Sequence, residues 1–175
     1  DNFKKVKDDP KITGIMFQQP LPQNLQQLID EIPPQKDIEG IGTYNMGKLF
    51  LGKNAILKPC TSKAVIETLD YYEIDIEGKD VVVVGRSNIV GKPLIPQLLE
   101  KNATVTICHS KTANLKEKTK NADIVIMAIG KANFLKGEDI KEGAILIDVG
   151  INFEDGKLTG DIDYEDIKNK ASACT

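Results

Sequence analysis

The pattern of apolar and polar positions changes character near Gly78, and the second part of the chain is the more regular. Val81 to Val84, Thr104 to Cys108, Asp123 to Ala128 and Ala144 to Asp148 read as short strands. Between them, Gly91 to Lys101 and Asn114 to Lys120 read as helices, with a shorter one at Lys136 to Ile140. Strands alternating with helices predict an α/β fold, here a Rossmann-like doubly wound parallel sheet with right-handed crossovers and ligands at the carboxyl ends of its strands. Four valines without a polar interruption, Val81 to Val84, suit a central strand covered on both faces.

The first 74 or so residues are less regular. Asn2 to Asp9 looks like the tail of a helix, Ile12 to Phe17 reads as a strand, and Leu25 to Ile32 reads as a short helix stopped by Pro33-Pro34. A glycine-rich loop is expected from Gly40 to Gly52. Thr61 is placed to cap a helix over Ser62 to Tyr72, with Val65, Ile66 and Leu69 on its apolar face. Near the end, Asp155-Gly156 between apolar positions suggests a hairpin turn.

The valine run leads directly into Gly85-Arg86-Ser87-Asn88-Ile89-Val90-Gly91-Lys92-Pro93. Gly85 can supply a sharp turn, Gly91 lets the following helix approach the strand, and Pro93 is tolerated in the first helical turn. Free N–H groups at that helix start, with the positive end of the helix dipole, make a seat for a pyrophosphate. The match to G-x-G-x-x-G is imperfect, because Ser87 replaces the second glycine and the last glycine comes one residue late. The competing reading is an ordinary strand-turn-helix. For the cofactor, the second strand ends in Cys108-His109-Ser110-Lys111-Thr112, without the carboxylate that binds the ribose hydroxyls of NAD. Arg86, Ser110 and Lys111 can instead donate to a 2′-phosphate, so NADP is favoured over NAD, against the alternative that these cations are simply solvated.

Composition narrows the partners. Among 175 residues, 23 basic and 26 acidic side chains leave a net charge of −3, with no basic stripe of the kind that binds nucleic acid. Cys60, Cys108 and Cys174 are odd in number and widely spaced, so they read as reduced thiols in a cytoplasmic protein. A lone histidine, His109, without clustered carboxylates gives no reason to expect a metal. No run approaches the ~20 apolar residues of a membrane span, so no membrane partner is expected.

Several blocks resemble the bifunctional methylenetetrahydrofolate dehydrogenase/methenyltetrahydrofolate cyclohydrolase family. They are Gly14 to Pro22, Lys36-Asp37-Ile38-Glu39-Gly40 with Asn45, Gly47 and Leu49, Pro59-Cys60-Thr61, and Val84-Gly85-Arg86-Ser87 with Val90, Gly91 and Pro93. Cys108-His109-Ser110 with Thr112, Ile147 to Asn152 and Gly160-Asp161 complete the series, in order along essentially the whole chain. The resemblance implies a cytoplasmic homodimer, with tetrahydrofolate derivatives bound between a catalytic domain, of which residues 1–74 are part, and an NADP domain at residues 75–175. It implies that 5,10-methylenetetrahydrofolate is oxidised by NADP⁺ and that the product is hydrolysed to 10-formyltetrahydrofolate.

By the same resemblance Gln18 is the active-site glutamine that supports a catalytic lysine, and Gln18, Pro20 and Glu39 line the folate site. The cofactor would meet Gly85, Arg86, Ser87, Val90, Gly91, His109, Ser110, Thr112, Gly130, Gly150 and Ile151. Glu39 stands where the family usually has a pterin-binding aspartate, Gly42 replaces a bulkier residue, and Ser62 and Ala64 replace a usual proline and glycine. Packing is the simplest role for Cys60. The family's Tyr-x-x-x-Lys lies upstream of Gly14, in a region this chain does not contain, and the two bare copies of that spacing, Tyr44 to Lys48 in a loop and Tyr164 to Lys168 on a polar helix after the last strand, are not expected to replace it. Two alternatives remain open: a catalytically silent nucleotide-binding or dimerisation module, and an NADP-dependent oxidoreductase with another substrate.

Overall fold

A computed structural model describes residues 2–154 and 156–175. In chain order it contains α1 (Asn2–Asp8), α2 (Thr43–Phe50), α3 (Cys60–Tyr71), β1 (Asp80–Val84), α4 (Gly91–Leu99), β2 (Thr104–Cys108), α5 (Leu115–Asn121), β3 (Ile124–Met127), β4 (Ile145–Asp148), β5 (Asn152–Glu154), β6 (Lys157–Thr159), α6 (Tyr164–Ile167) and β7 (Ala173–Cys174). Short 3₁₀ turns at Gln23–Ile29 and Gly137–Asp139 supplement these elements.

Five strands form one parallel sheet in the order β2-β1-β3-β4-β7. Chain direction across the sheet therefore reverses between β1 and β3, the topological switch point at which open α/β sheets bind ligands. The interior position of β1, paired on both sides between β2 and β3, explains its valines. Val81 and Val83 pack with Val65, Ile66 and Leu69 of α3 and with Leu94 and Leu98 of α4. Val82 and Val84 face the other core, with Met127, Ile140, Leu146 and Ile167. Each such buried side chain contributes roughly 1.5–3 kcal/mol. By contrast β2 is an edge strand, and Thr104 and Thr106 lie on its exposed face.

Several local expectations are corrected. The Ile12–Phe17 segment is not a strand: its extended pairing is a single bridge between Ile15 and Asp37. The Leu25–Ile32 segment forms a 3₁₀ turn that ends at Ile29, before the two prolines. The expected loop from Gly40 to Gly52 contains α2, whose buried Asn45 and Leu49 supply a packing face despite Gly47. Consequently Tyr44 and Lys48 stand one helical turn apart, with the Lys48 ammonium 4.8 Å from the Tyr44 ring centroid.

Thr61 is not a cap, because α3 begins at Cys60 with Pro59 in the cap position. Ser62 instead donates to the Pro59 carbonyl at 2.9 Å and accepts from Gln97 Nε2 at 2.7 Å, tying α3 to α4. Beyond β4, the hairpin appears as antiparallel β5–β6 with Gly156 at φ +77°, while Asp155 of the expected turn lies outside the described residues. The strand expected to be last, β4, is followed by β7, which is too short to announce itself in the hydrophobic pattern. Among the described residues no helix is long and apolar enough to cross a membrane.

Two glycines show opposite constraints. A Cβ at Gly91 would lie 2.6 Å from the Gly85 carbonyl carbon and closer still to its oxygen, whereas a Cβ at helical Gly47 meets nothing within 4 Å. We expect Gly91→Ala to destabilise the fold by about 2 kcal/mol or more and Gly47→Ala to stabilise it by about 0.5–1 kcal/mol, as read by denaturant unfolding.

Candidate functional site

The valines carry the chain to the carboxyl edge of the sheet, where Gly85 is buried with φ +137°. A side chain there would be forced against the Ala128 backbone, with its Cβ 3.0 Å from the Ala128 carbonyl carbon. Only glycine lets β1 turn so close to the end of β3. The chain then closes a tight turn. Ser87 Oγ accepts from the Val90 N–H at 3.1 Å, and the Ser87 carbonyl accepts from Lys92 at 3.0 Å. Ser87 therefore builds the turn in place of a second glycine. Because Val90, Lys92 and Leu94 already donate within the chain and Pro93 has no N–H, the expected anion seat is narrower than a bare helix start. Among the described residues it retains the amides of Arg86 to Ile89 and of Gly91.

A cavity of about 290 Å³ opens beside this turn. Val84, Gly85 and Arg86 form one wall, His109 and Ser110 a second, and Ala128, Ile129, Lys131 and Phe134 a third, with Leu115 at its base. It lies at the β1/β3 switch point. Among the described residues the lining contains two cationic side chains and no carboxylate. A larger cavity of about 1010 Å³ adjoins it, sharing Val84, Leu115 and Phe134.

The cavity thus brings together four of the residues singled out from sequence: Gly85, Arg86, His109 and Ser110. Others act behind it. Thr112 Oγ1 accepts from the His109 N–H at 2.8 Å, and His109 Nδ1 accepts from the Lys111 N–H at 3.1 Å. These bonds shape the loop after β2 and, in the neutral imidazole, place the proton on Nε2. Lys111 itself is exposed and is not among the lining residues, whereas Lys131 is, with its ammonium 5.7 Å from the Phe134 ring centroid. Val90 and Gly91 are buried under the turn, Gly130 takes φ +63°, and Gly150 packs against Asp161. Ile151 is 71% exposed, outside the cavity.

Sequence reasoning missed Lys131, Phe134 and Leu115, because nothing in their local pattern marks them; they reach the cavity from separate crossovers. The Ile15–Asp37 bridge brings the segments bearing Gln18 and Glu39 side by side. Gln18 and Pro20 are exposed, and Gln18 Nε2 makes a long 3.4 Å bond to the Gln19 carbonyl. Asp37 is buried and accepts from Gly42 N–H at 2.9 Å and Asn45 Nδ2 at 3.0 Å. It is a structural anchor for the start of α2. Glu39 is half-buried, and burial followed by repulsion from Asp37 raises its carboxyl above the ordinary 4.5.

Cys60 is exposed, contrary to a packing role, with Sγ 3.4 Å from the Ile38 carbonyl. Cys108 is buried and its thiol is raised by burial; at Cys174 burial and then Asp148 push the thiol up to about 11.

The family model described as tetrahydrofolate dehydrogenase/cyclohydrolase, NAD(P)-binding domain, matches residues 59–175. The bifunctional protein FolD of Caldanaerobacter subterraneus subsp. tengcongensis is 49% identical over 177 aligned residues, covering 100% of this chain and 63% of that protein. The crystal structure of the bifunctional methylenetetrahydrofolate dehydrogenase/cyclohydrolase from Campylobacter jejuni is similar with a TM-score of 0.95 at 42% identity, over 99% of this chain and 63% of that one. The Trypanosoma brucei methylenetetrahydrofolate dehydrogenase-cyclohydrolase, solved with NADP cofactor and inhibitor, gives a TM-score of 0.91 at 32% identity over 99% and 63% of the two chains. This chain therefore spans about three fifths of the length of the curated relatives it matches.

We expect iodoacetamide at pH 8 to label Cys60 at least ~10-fold faster than Cys108 or Cys174, because the thiolate is the reactive form; peptide mass mapping checks this. The raised carboxyl of Glu39 means that the folded state holds its proton more tightly than the unfolded state, so its ionisation costs stability as pH rises through that window. Glu39→Gln should accordingly show a higher thermal midpoint than the wild type at pH 7, with the difference shrinking towards pH 4.

Proposed function

The chain belongs to the tetrahydrofolate dehydrogenase/cyclohydrolase family, and from that premise we propose that the protein is an NADP-dependent methylenetetrahydrofolate dehydrogenase and methenyltetrahydrofolate cyclohydrolase. The observation that carries the reading is the cavity at the β1/β3 switch point, where Arg86, Lys131 and the Ser110 hydroxyl stand among apolar walls and, among the described residues, no acid lines it. A 2′-phosphate brings nearly two negative charges, and such a lining accepts them where a ribose-binding carboxylate would repel them.

In this reading Arg86 and Ser110 hold the 2′-phosphate and Lys131 adds a third polar contact at the mouth. Gly85 and Gly91 admit the dinucleotide by keeping side chains out of the turn, and the amides of residues 86–89 and Gly91 face its pyrophosphate. These residues fit the group: the places where a Cβ would intrude are glycines, and the anionic ends meet positive charge. When bound, NADP⁺ supplies the hydride acceptor.

On the folate side, the division between residues 1–74 and 75–175 is part of the proposal, with α3 packed onto the nucleotide sheet. Glu39 grips the donor edge of the pterin as a carboxylate, Gln18 orients the group that manages protons at the one-carbon bridge, and Pro20 shapes the approach. The bridge carbon loses a hydride with its electron pair to give a methenyl cation; water then adds to that carbon, loses a proton, and a C–N bond opens to 10-formyltetrahydrofolate.

The proposal includes a cytoplasmic homodimer. Three unpaired cysteines support the reducing compartment. The hairpin, where Phe153 and Leu158 pair across the strands at 78% and 68% exposure, supports a face covered by protein.

The test compares binding of NADPH and NADH, followed by nucleotide fluorescence, in the wild type and in Arg86→Ala. The wild type should prefer NADPH, and the substitution should weaken NADPH by about tenfold or more while changing NADH by less than about twofold, the loss of one charge-assisted contact. Equal losses for both nucleotides would remove the 2′-phosphate assignment.

A further inference from the structure

Two carboxylates, the half-buried Asp148 and the buried Asp161, lie behind the nucleotide crevice, and among the described residues neither is in an ion pair. Asp161 is fully buried. Its Oδ2 accepts from the N–H of Ile129 at 2.7 Å and of Gly130 at 3.1 Å, and its Oδ1 accepts from the N–H of Lys131 at 2.7 Å and from Asn152 Nδ2 at 3.0 Å. Three consecutive backbone N–H groups, with Gly130 at φ +63°, form a concave nest of the kind that binds anions. Here the anion is a side chain of the same molecule.

Asp161 is itself held from β4. Asp148 Oδ1 accepts from Asp161 N–H at 3.0 Å and from Gly150 N–H at 2.9 Å, and its Oδ2 accepts from Ile162 N–H at 2.8 Å. The Asp161 carbonyl in turn accepts from Phe134 at 2.8 Å and Leu135 at 3.0 Å. The arrangement leaves no room for side chains at two neighbouring positions. A Cβ on Gly150 would lie 2.6 Å from Asp161 Oδ2, and one on Gly160 would lie 2.7 Å from Asp148 Cγ. Asp148, Gly150, Gly160 and Asp161 therefore work as one unit that joins the end of β4 to the loop after β3.

That loop is a wall of the crevice: Ile129, Lys131 and Phe134 line it. Four donors compensate the buried charge of Asp161, and in exchange the charge sets the direction of three successive peptide groups. We propose that Asp161 is a positioning residue for the dinucleotide, filling the 129–131 nest so that the loop is held in its binding shape before the ligand arrives. A second consequence is that the nest, already occupied, is closed to the cofactor's phosphates, which leaves the Gly85–Gly91 turn as the phosphate seat. The inference rests on the nucleotide-binding reading above.

The experiment uses the full chain and two readouts. Amide hydrogen exchange of the unliganded protein measures the nest directly, and NADPH fluorescence measures binding. In Asp161→Asn an NH₂ group faces backbone donors, so exchange at Ile129 to Lys131 should rise about tenfold or more while β1 stays protected, and NADPH affinity should fall by about tenfold. In Asp161→Ala, formate should restore part of the NADPH affinity by occupying the empty nest, and chloride at equal ionic strength should not.

Unchanged exchange at 129–131 would overturn the clamp whatever the cofactor does. Lost protection with NADPH affinity within about twofold of the wild type would overturn the positioning role. If both Asp161 variants fail to fold, Asn152→Ala removes one donor and leaves three; a fall in NADPH affinity then supports the role, and wild-type affinity with wild-type protection assigns Asp161 to folding alone. A wild-type chain that binds no NADPH sinks the nucleotide reading and this role with it, while the exchange data still report separately whether the nest is filled.

Discussion

The structure depends on one close passage of backbone over backbone, where β1 leaves the sheet and turns into α4. At that point the Gly85 carbonyl lies where a Gly91 side chain would begin, and Gly85 itself lies against the Ala128 backbone. Any Cβ would separate α4 from β1 or β1 from β3. Because β1 is the strand that touches both β2 and β3, such a separation would open the sheet at its centre and widen the switch-point crevice. Packing on both faces then follows from β1: alternate valines feed the two cores, and α3 and α4 share one of them.

The charges are sorted around this passage. Cations reach the crevice, while Asp148 and Asp161, behind its wall, are turned inward onto backbone amides. This separation matters because a carboxylate in the lining would repel an anionic ligand, whereas one bound by several N–H groups behind the wall stiffens it. The amino-terminal part uses the same device at smaller scale, where Asp37 accepts from Gly42 and Asn45 at the start of α2. Adjacent Glu39 stays half-exposed and keeps a raised carboxyl, available to a ligand because it is not consumed by such bonds.

The carboxyl-terminal sheet was legible in the sequence because its signals are local. Val81 to Val84 suit a strand covered on both faces, as they are in β1, and the glycine turn after them marks where the strand ends. Elements whose cause is distant were misread. Glycine and asparagine argue for a loop between Gly40 and Gly52, yet Asp37 captures Asn45 and the buried Leu49 pays back the weak propensity, so a helix forms. The Ile12–Phe17 segment has strand composition but, among the described residues, finds a bridge partner in Asp37 alone. Thr61 has capping chemistry, but α3 starts one residue earlier because Pro59 leads directly into Cys60.

The sequence by itself determined the fold class, the central strand, the turn that must be glycine, and the absence of an acid at the end of β2, since each depends on residues adjacent in the chain. Tertiary structure alone decided which side chains share the crevice. Lys131 and Phe134 come from the crossover after β3, Leu115 from the helix after β2, and Arg86 from the turn after β1. It also decided that Asp161, 31 residues beyond Gly130, completes the loop containing that glycine. The physical reason is that a parallel sheet brings the ends of distant strands together through its crossovers, and no local pattern records which ends meet.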